Sequence, residues 1–402
     1  MKKICLAVMY GSRSSEHEVS IISAVQLMQH VNREKYDLVP IYISQKGVWY
    51  TGDALLDMRT YTPFDPWNKQ IKKVQLDLTA GSGALVHYRR DDNVTGHIRE
   101  EIVARINCVI PVFHGLHGED GSVQGILEIA NLPYASTGIC GSAIGMDKIA
   151  MKAFFLGCGF PVLPGFGVTR SQWEKDRGSI LAETEKIGWP VFVKPACLGS
   201  SIGVSRADNA EELIEAMELA LSYDRRVLIE KGLDKPAEVN CSVLGYDDQI
   251  RASVLEMPNA GGESFLGFKE KYLQQGASKG MASLKRIIPA PIGDELTSQL
   301  QELSMQIFKA MDCKGVVRID YMLDRISGRH YITEINTIPG SLSFYLWKET
   351  DLDYTNLIDC MVDAAMRAKA DKDRSSYAYS SDILKGVTLG PKAGGKLGGV
   401  KR

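Results

Sequence analysis

The chain has 402 residues, 45% apolar and 24% charged, with a net charge of −2. That length favours two or three domains with full hydrophobic cores, and the balanced charge argues against nucleic acid as a partner. No apolar run reaches the ~18 residues of a membrane helix, so no membrane partner is expected. The eight cysteines are scattered without C-x-x-C pairs, which points to reduced thiols and a cytoplasmic protein.

Residues 3–9 read as a buried strand and not as a signal peptide, because the short apolar run leads into Gly11-Ser12-Arg13 with no small-residue cleavage site. A polar loop (11–18), a helix (20–30) and a strand (38–43) follow on short connections, the pattern of a parallel sheet. Residues 57–100, rich in Asp, Pro, Gly and Thr, read as an irregular excursion, after which a strand (106–112) and a helix (122–130) resume the sheet.

A second unit opens with a helix over 142–156, then strand 191–194, a Gly/Ser turn, strand 203–206, helix 210–221 and strand 227–230. A third holds strand 238–244, a long polar segment (260–285), helix 295–311, a hairpin over 315–336 and a last helix over 353–370. The expected domains are 1–141, 142–234 and 235–372, with 373–402 as a flexible tail. From Lys385 onward that tail is too poor in apolar residues to order itself. There are no internal repeats.

The last hairpin carries the strongest local chemistry. A turn centred on Ser327 pairs Asp320 with Glu334 and Arg318 with Asn336, and period-two alternation puts all four on one face. Ile319 and Ile335 then face a core. Two carboxylates and an amide oxygen make a hard oxygen site suited to Mg²⁺ and hence to phosphate chemistry, with Arg318 placed to stabilise an oxyanion. Taken alone, the hairpin is equally compatible with a solvated face bearing an Arg–Glu pair.

Lys194 ends the apolar run Pro190–Val193 and precedes Gly199-Ser200-Ser201-Ile202-Gly203. Backbone N–H groups, hydroxyls and an ammonium so arranged can cradle phosphates, although this is not a P-loop and an ordinary turn with a surface lysine gives the same pattern. The stretch His114-Gly115-Leu116-His117-Gly118-Glu119-Asp120-Gly121 lies at the C-terminal edge of a buried strand, where parallel sheets bind ligands. His114 is a substrate-contacting candidate there, or a structural loop histidine. The loop Gly11–Glu18 shares that edge without a dinucleotide fingerprint. Its Glu16 could bind a substrate ammonium or serve the following helix as an N-terminal acid.

In series, these segments resemble the D-alanine–D-alanine ligases of the ATP-grasp superfamily over residues 1–370. The motifs are Ser14-Ser15-Glu16-His17-Glu18-Val19-Ser20, His114–Gly121 with Gln124-Gly125, Ser142-Ala143 through Met146-Asp147-Lys148, Phe192-Val193-Lys194-Pro195 with Gly199-Ser200-Ser201, and Glu238-Val239 before Val243-Leu244-Gly245. Lys271-Tyr272, Arg318-Ile319-Asp320 and Glu334-Ile335-Asn336-Thr337-x-Pro339-Gly340 complete the set. Each motif is modest, and their order is specific.

The resemblance implies a three-domain α/β ATP-grasp architecture: an N-terminal parallel α/β domain, and ATP held between two α+β domains. It implies that Lys148 and Lys194 contact the phosphates with Ser200 and Ser201 in the glycine loop. Glu230, Lys231 and Leu233 would border the adenine, and Glu238 would bind the ribose. Asp320, Glu334 and Asn336 would hold two Mg²⁺, with Mn²⁺ able to substitute.

Glu16, Ser200 and Tyr272 would link the first domain, the glycine loop and a mobile loop over 260–285. Glu16 would lie near the first substrate's ammonium, and Lys271 and His114 near the substrates. The implied activity is ATP-dependent joining of two D-alanines through an acyl phosphate, with Arg318 stabilising the tetrahedral oxyanion, for peptidoglycan precursor synthesis. The family expectation is a homodimer.

The sequence departs from the family pattern in two places. After Pro339-Gly340 the family has a bulky residue, a Thr and a later Ser that grip the acceptor carboxylate; here Gly340 leads into Ser341-Leu342-Ser343-Phe344, and Ser341 or Ser343 would take that role. Leu266-Gly267 stands where an aromatic–Asp pair often precedes the lysine. A ligase with a D-serine or D-lactate acceptor is therefore the alternative, although Tyr272 looks like the dipeptide-forming type. A non-catalytic ATP-binding regulator is the other rival, opposed by the presence of every metal ligand and phosphate lysine.

Overall fold

The computed structural model describes residues 3–90, 98–258, 286–376 and 383–386. The expected mobile loop with Lys271 and Tyr272, and most of the tail, lie outside the described residues.

Ile4–Gly11 pairs in parallel with Tyr36–Ile43 on one side and Cys108–Val112 on the other. Trp49–Thr51 and Lys72–Lys73 extend this sheet antiparallel. Alternate side chains of the first strand enter different cores. Leu6, Val8 and Tyr10 pack with Ile21 and Leu27 of the His17–Gln29 helix, while Ala7 and Met9 pack with Val123 and Leu127 of the Ser122–Ile129 helix. A central parallel strand covered on both faces needs such a continuous apolar run.

The 57–100 stretch is more regular than its composition suggests. Gln75–Leu76, Ala84–Arg90 and Ile98–Arg105 form a three-stranded antiparallel sheet. The last of these strands is mostly exposed and carries Arg99, Glu100 and Glu101, so it shows little apolar alternation.

The second sheet runs Ser205–Ala207, Val191–Pro195, Arg226–Lys231, Gly165–Thr169, all antiparallel. The Gly165–Thr169 strand and the helices Arg170–Lys175 and Arg177–Ile187 have no counterpart in the sequence reading. The strand is short and Gly-rich, and the first helix rests on a capping box between Thr169 and Gln172.

The helix expected over 142–156 is two helices, Ile139–Met146 and Lys148–Gly157. Asp147 makes the break: its extended backbone leaves the first helix, and its carboxylate caps the second, accepting the Ile149 and Ala150 N–H groups at 3.0 Å. The apolar pattern runs through the break, which is why periodicity alone merged the two.

The third sheet is antiparallel, ordered Arg286–Ile287, Gln249–Pro258, Ala237–Tyr246, Lys314–Leu323, His330–Asn336. Its core takes Leu300 and Ile307 from the Asp294–Ala310 helix and Met151 and Phe155 from Lys148–Gly157. The C-terminal helix Tyr354–Lys372 buries Leu357, Met361 and Val362 in the core that holds Leu6 and Val8. First sheet and C-terminal helix therefore share one apolar layer. None of the described helices is long and apolar enough to cross a membrane.

Candidate active site

The hairpin Lys314–Leu323/His330–Asn336 pairs Asp320 with Glu334 and Arg318 with Asn336, the expected register. It does so through a bulge. Nearer the turn, Tyr321 faces Ile332 and Leu323 faces His330, so Thr333 is an extra residue whose hydroxyl donates to the Asp320 carbonyl at 2.9 Å. Without the bulge, continuing the turn-proximal register would set Asp320 opposite Thr333 and displace Glu334. Ile319 and Ile335 are buried in the core behind, as alternation requires.

Arg318 donates from Nε and Nη2 to the two oxygens of Asp320, at 2.6 Å each, and Asn336 Nδ2 donates to Asp320 at 3.1 Å. Burial raises the Asp320 carboxyl above its ordinary range, against the pull of Arg318, and Glu334 and Glu256 add to the rise. Two carboxylates pressed together across a strand pair are a site that a cation would relieve. Among the described residues no three His, Cys, Asp or Glu side chains group as a cage. The donors are two carboxylates and an amide, the sparse oxygen set that fits Mg²⁺ completed by phosphate and water.

Three lysines lie beside the second sheet, Lys194 on its strand Val191–Pro195 and Lys148 and Lys152 on the helix Lys148–Gly157. Lys194 pairs with Glu230 at 2.5 Å, and Lys152 also pairs with Glu230. Glu230 is 1% exposed; burial would raise its carboxyl, but Lys194 and Lys152 outweigh that and hold it below the ordinary range. Lys148 donates to the Leu198 carbonyl at 2.5 Å, immediately before the glycine loop. Burial lowers its ammonium pKa, Glu334 opposes this, and Lys194 adds to it. Lys152 was not singled out in the sequence, although it stands four residues after Lys148 on one helix face.

Lys231 donates to the Trp189 carbonyl at 2.6 Å. Leu233 is partly buried, and Glu238 is exposed. Glu238 precedes Asn240 by two on a strand where Asn240 faces Asp320, so it shares the Asp320 face.

Glu16 is 7% exposed and accepts a hydrogen bond from the Ser200 hydroxyl. Its carboxylate is flanked by glycines. A Cβ at Gly115 would lie 2.7 Å from Glu16 Oε2, and one at Gly199 would lie 2.8 Å away. Ser200 and Ser201 have φ of +52° and +58°, in the left-handed region, within the glycine loop whose Ser200 hydroxyl reaches Glu16.

His114 is buried and saturated. Because the Ile338 carbonyl can only accept, Nδ1–H donates to it, at 3.1 Å. The Ser23 hydroxyl then donates to Nε2 at 2.9 Å, and Ser23 Oγ accepts the Ser341 N–H at 3.2 Å. Glu119, not singled out in the sequence, completes the clamp: its carboxylate accepts the Ile338 N–H at 3.0 Å and the Gly115 N–H at 2.9 Å. Burial and then Glu16 push its carboxyl up to about 8. Both backbone groups of Ile338, two residues beyond Asn336, are thus held by side chains of the first unit. Gly340–Ser343 follows as a tight turn in which Ser341, Leu342 and Ser343 all have φ near +50°, and both serines are buried.

Residues 154–363 match the sequence profile described as D-ala D-ala ligase C-terminus, and residues 5–137 match the D-ala D-ala ligase N-terminus. The D-alanine–D-alanine ligase of Heliobacterium modesticaldum is 36% identical over 385 residues, covering 94% of this chain and 98% of that one. The chain belongs to the D-alanine–D-alanine ligase family. The Bacillus velezensis D-alanine–D-alanine ligase is 37% identical over 376 residues, covering 92% and 100%.

Two solved structures of this ligase fold overlay the chain. The Coxiella burnetii D-alanine–D-alanine ligase has a TM-score of 0.76 at 24% identity, covering 93% and 97%, and shows the ATP-grasp fold. The VanG D-Ala:D-Ser ligase of Enterococcus faecalis has a TM-score of 0.75 at 27% identity, covering 90% and 100%.

Proposed function

We propose that this ligase joins two D-alanine molecules into D-alanyl-D-alanine at the expense of ATP, in the cytoplasm, as a homodimer that supplies peptidoglycan precursor synthesis. The observation that carries the reading is the hairpin face, where Arg318, Asp320, Glu334 and Asn336 stand together in register. It faces a chain whose phosphate-side lysines, Lys148 and Lys194, come from the neighbouring unit.

The donor D-alanine binds with its ammonium near Glu16, and its carboxylate oxygen attacks the γ-phosphorus, releasing ADP and leaving an acyl phosphate. The acceptor's amine attacks the acyl carbon, the tetrahedral oxyanion forms against Arg318, and inorganic phosphate departs. Asp320, Glu334 and Asn336 would hold Mg²⁺, or Mn²⁺ in its place, which when bound supplies charge neutralisation at the transferring phosphoryl group. Lys148 and Lys194 orient the phosphates, with Ser200 and Ser201 presenting the glycine loop. Glu230, Lys231 and Leu233 line the nucleotide side, and Glu238 is the ribose partner. Lys271 and Tyr272 belong to the segment expected to exclude water while the acyl phosphate persists. Gly340, Ser341 and Ser343 shape the acceptor end.

Phosphate release from ATP and Mg²⁺, compared between D-alanine and L-alanine with chromatography of the product, tests the reading. Release dependent on D-alanine with a D-alanyl-D-alanine peak supports it; release without that dipeptide refutes the acceptor assignment. A D-serine acceptor is the second reading, favoured by the buried Ser341–Ser343 turn that replaces the usual family pattern. Added D-serine would then appear in the product. Sedimentation of the purified chain reads the homodimer.

A further inference from the structure

Lysine is rarely buried unless its charge is paired. Lys152 is 7% exposed, and Met151 and Phe155 beside it on the same helix enter an apolar core. Its ammonium pairs with Glu230 and also donates to the Leu163 carbonyl at 3.2 Å. The same carboxylate pairs with Lys194 at 2.5 Å.

The strand register explains the second pairing. Glu230 stands opposite Phe192 on one flanking strand and Gly165 on the other, neither of which carries charge. Lys194 lies two residues beyond Phe192 and so shares its face. Glu230 therefore has one lysine from a strand and one from a helix. Two ammonium groups on one carboxylate leave the cluster with one positive charge in excess. Burial lowers the Lys152 ammonium pKa and Lys194 adds to the fall, while Glu230 opposes it.

The two lysines are not equivalent. Lys152 has two acceptors, a carboxylate and a backbone carbonyl. Among the described residues the Lys194 ammonium has no hydrogen-bond acceptor except Glu230, and its other neighbour is the Phe192 ring at 5.9 Å. Lys152 is thus anchored, and Lys194 is the cation able to turn to a new anion. If Lys194 were the carboxylate's one partner, turning away would strand a buried charge, which is strongly unfavourable. With Lys152 in place, Glu230 keeps a counter-charge.

We infer that Lys152 is a positioning residue for ATP: by keeping Glu230 paired, it frees Lys194 to contact the phosphates. This rests on the ligation reading above, which sets the phosphates at Lys194. Lys152 itself touches no substrate and acts through Glu230.

The test compares ATP with adenosine, which has the base and ribose but no phosphates. ATP KM and kcat are measured at saturating D-alanine, and adenosine is measured as a competitor of ATP. The variant is Lys152→Met, close in length and without the charge. We expect its ATP KM to rise roughly 10- to 100-fold, the scale of one lost charge-assisted hydrogen bond. The kcat and the adenosine Ki should stay near wild type, and Lys152→Arg should recover most of the loss. Glu230→Gln supplies a further comparison. With no carboxylate charge left to hold, adding Lys152→Met to it should leave ATP KM where Glu230→Gln alone sets it.

An ATP KM near wild type in Lys152→Met overturns the inference. An equal loss for ATP and adenosine also overturns it, and would make Lys152 a support for the fold only. A further loss on adding Lys152→Met to Glu230→Gln does the same, and that comparison stands even where Lys152→Met alone does not fold. Absence of ATP-dependent phosphate release in wild type would instead remove the ligation reading, and this inference with it.

Discussion

The Ser200 hydroxyl donates to the Glu16 carboxylate across 184 positions of chain. This bond ties the loop after the first strand to the glycine loop of the second sheet. The two loops must meet for the substrate ammonium proposed at Glu16 and the phosphate proposed at the glycine loop to share one reaction. Ser200→Ala removes the donor from a buried carboxylate, at a cost of about 1–3 kcal/mol. We expect kcat/KM for the donor amino acid to fall roughly 10- to 100-fold. Steady-state kinetics of Ser200→Ala and Ser200→Thr check this, with the threonine variant recovering part of the loss.

Gly199 faces the same carboxylate. A methyl group there would stand 2.8 Å from Glu16 Oε2, inside van der Waals contact. Gly199→Ala should therefore displace Glu16 and raise the donor KM while leaving the melting temperature within a few degrees. A donor KM equal to wild type would show that the loop yields without moving Glu16.

Arg318 is bound to Asp320 through two hydrogen bonds of 2.6 Å. Arg318→Ala removes the proposed oxyanion donor and also leaves Asp320 without its main counter-charge. Turnover should drop by at least ~100-fold, the scale for losing one oxyanion donor. Near-wild-type turnover in that variant would take Arg318 out of the mechanism.

His114 supplies a pH dependence with a definite sign. Burial pushes its pKa down to about 4, below the ordinary 6.5. Between those values the unfolded chain binds a proton that the folded chain refuses. The stabilisation is fully present above pH 6.5 and is lost as the pH falls toward 4. The window is worth roughly 3 kcal/mol. Melting temperatures measured across it should fall more steeply for wild type than for His114→Gln. Parallel curves would assign the acid sensitivity to other groups.

The hairpin shows how far sequence carries and where it stops. Alternation put Arg318, Asp320, Glu334 and Asn336 on one face because a strand's side chains have a strict period of two. The same rule could not reveal the bulge at Thr333, which corrects a turn set half a residue off the expected centre. The break at Asp147 was hidden for a similar reason: apolar spacing continues across it, and only the capping bonds of a formed helix mark the end. The strands over 75–105 stayed illegible because one face is open to solvent and carries charge.

Sequence by itself determined the apolar first strand with its parallel partners, the principal helices, the hairpin face shared by Arg318, Asp320, Glu334 and Asn336, and the family, all of which are written in residue order along the chain. Tertiary structure alone decided which distant residues meet. Lys152 with Glu230, His114 and Glu119 on Ile338, and Glu256 with Arg286 and Tyr345 are joined across loops and sheets, whereas the family resemblance already implied the link between Glu16 and Ser200. No periodicity encodes those pairs. They form because sheets packing through shared apolar cores bring loop ends together, and a buried polar group brought there must find a partner.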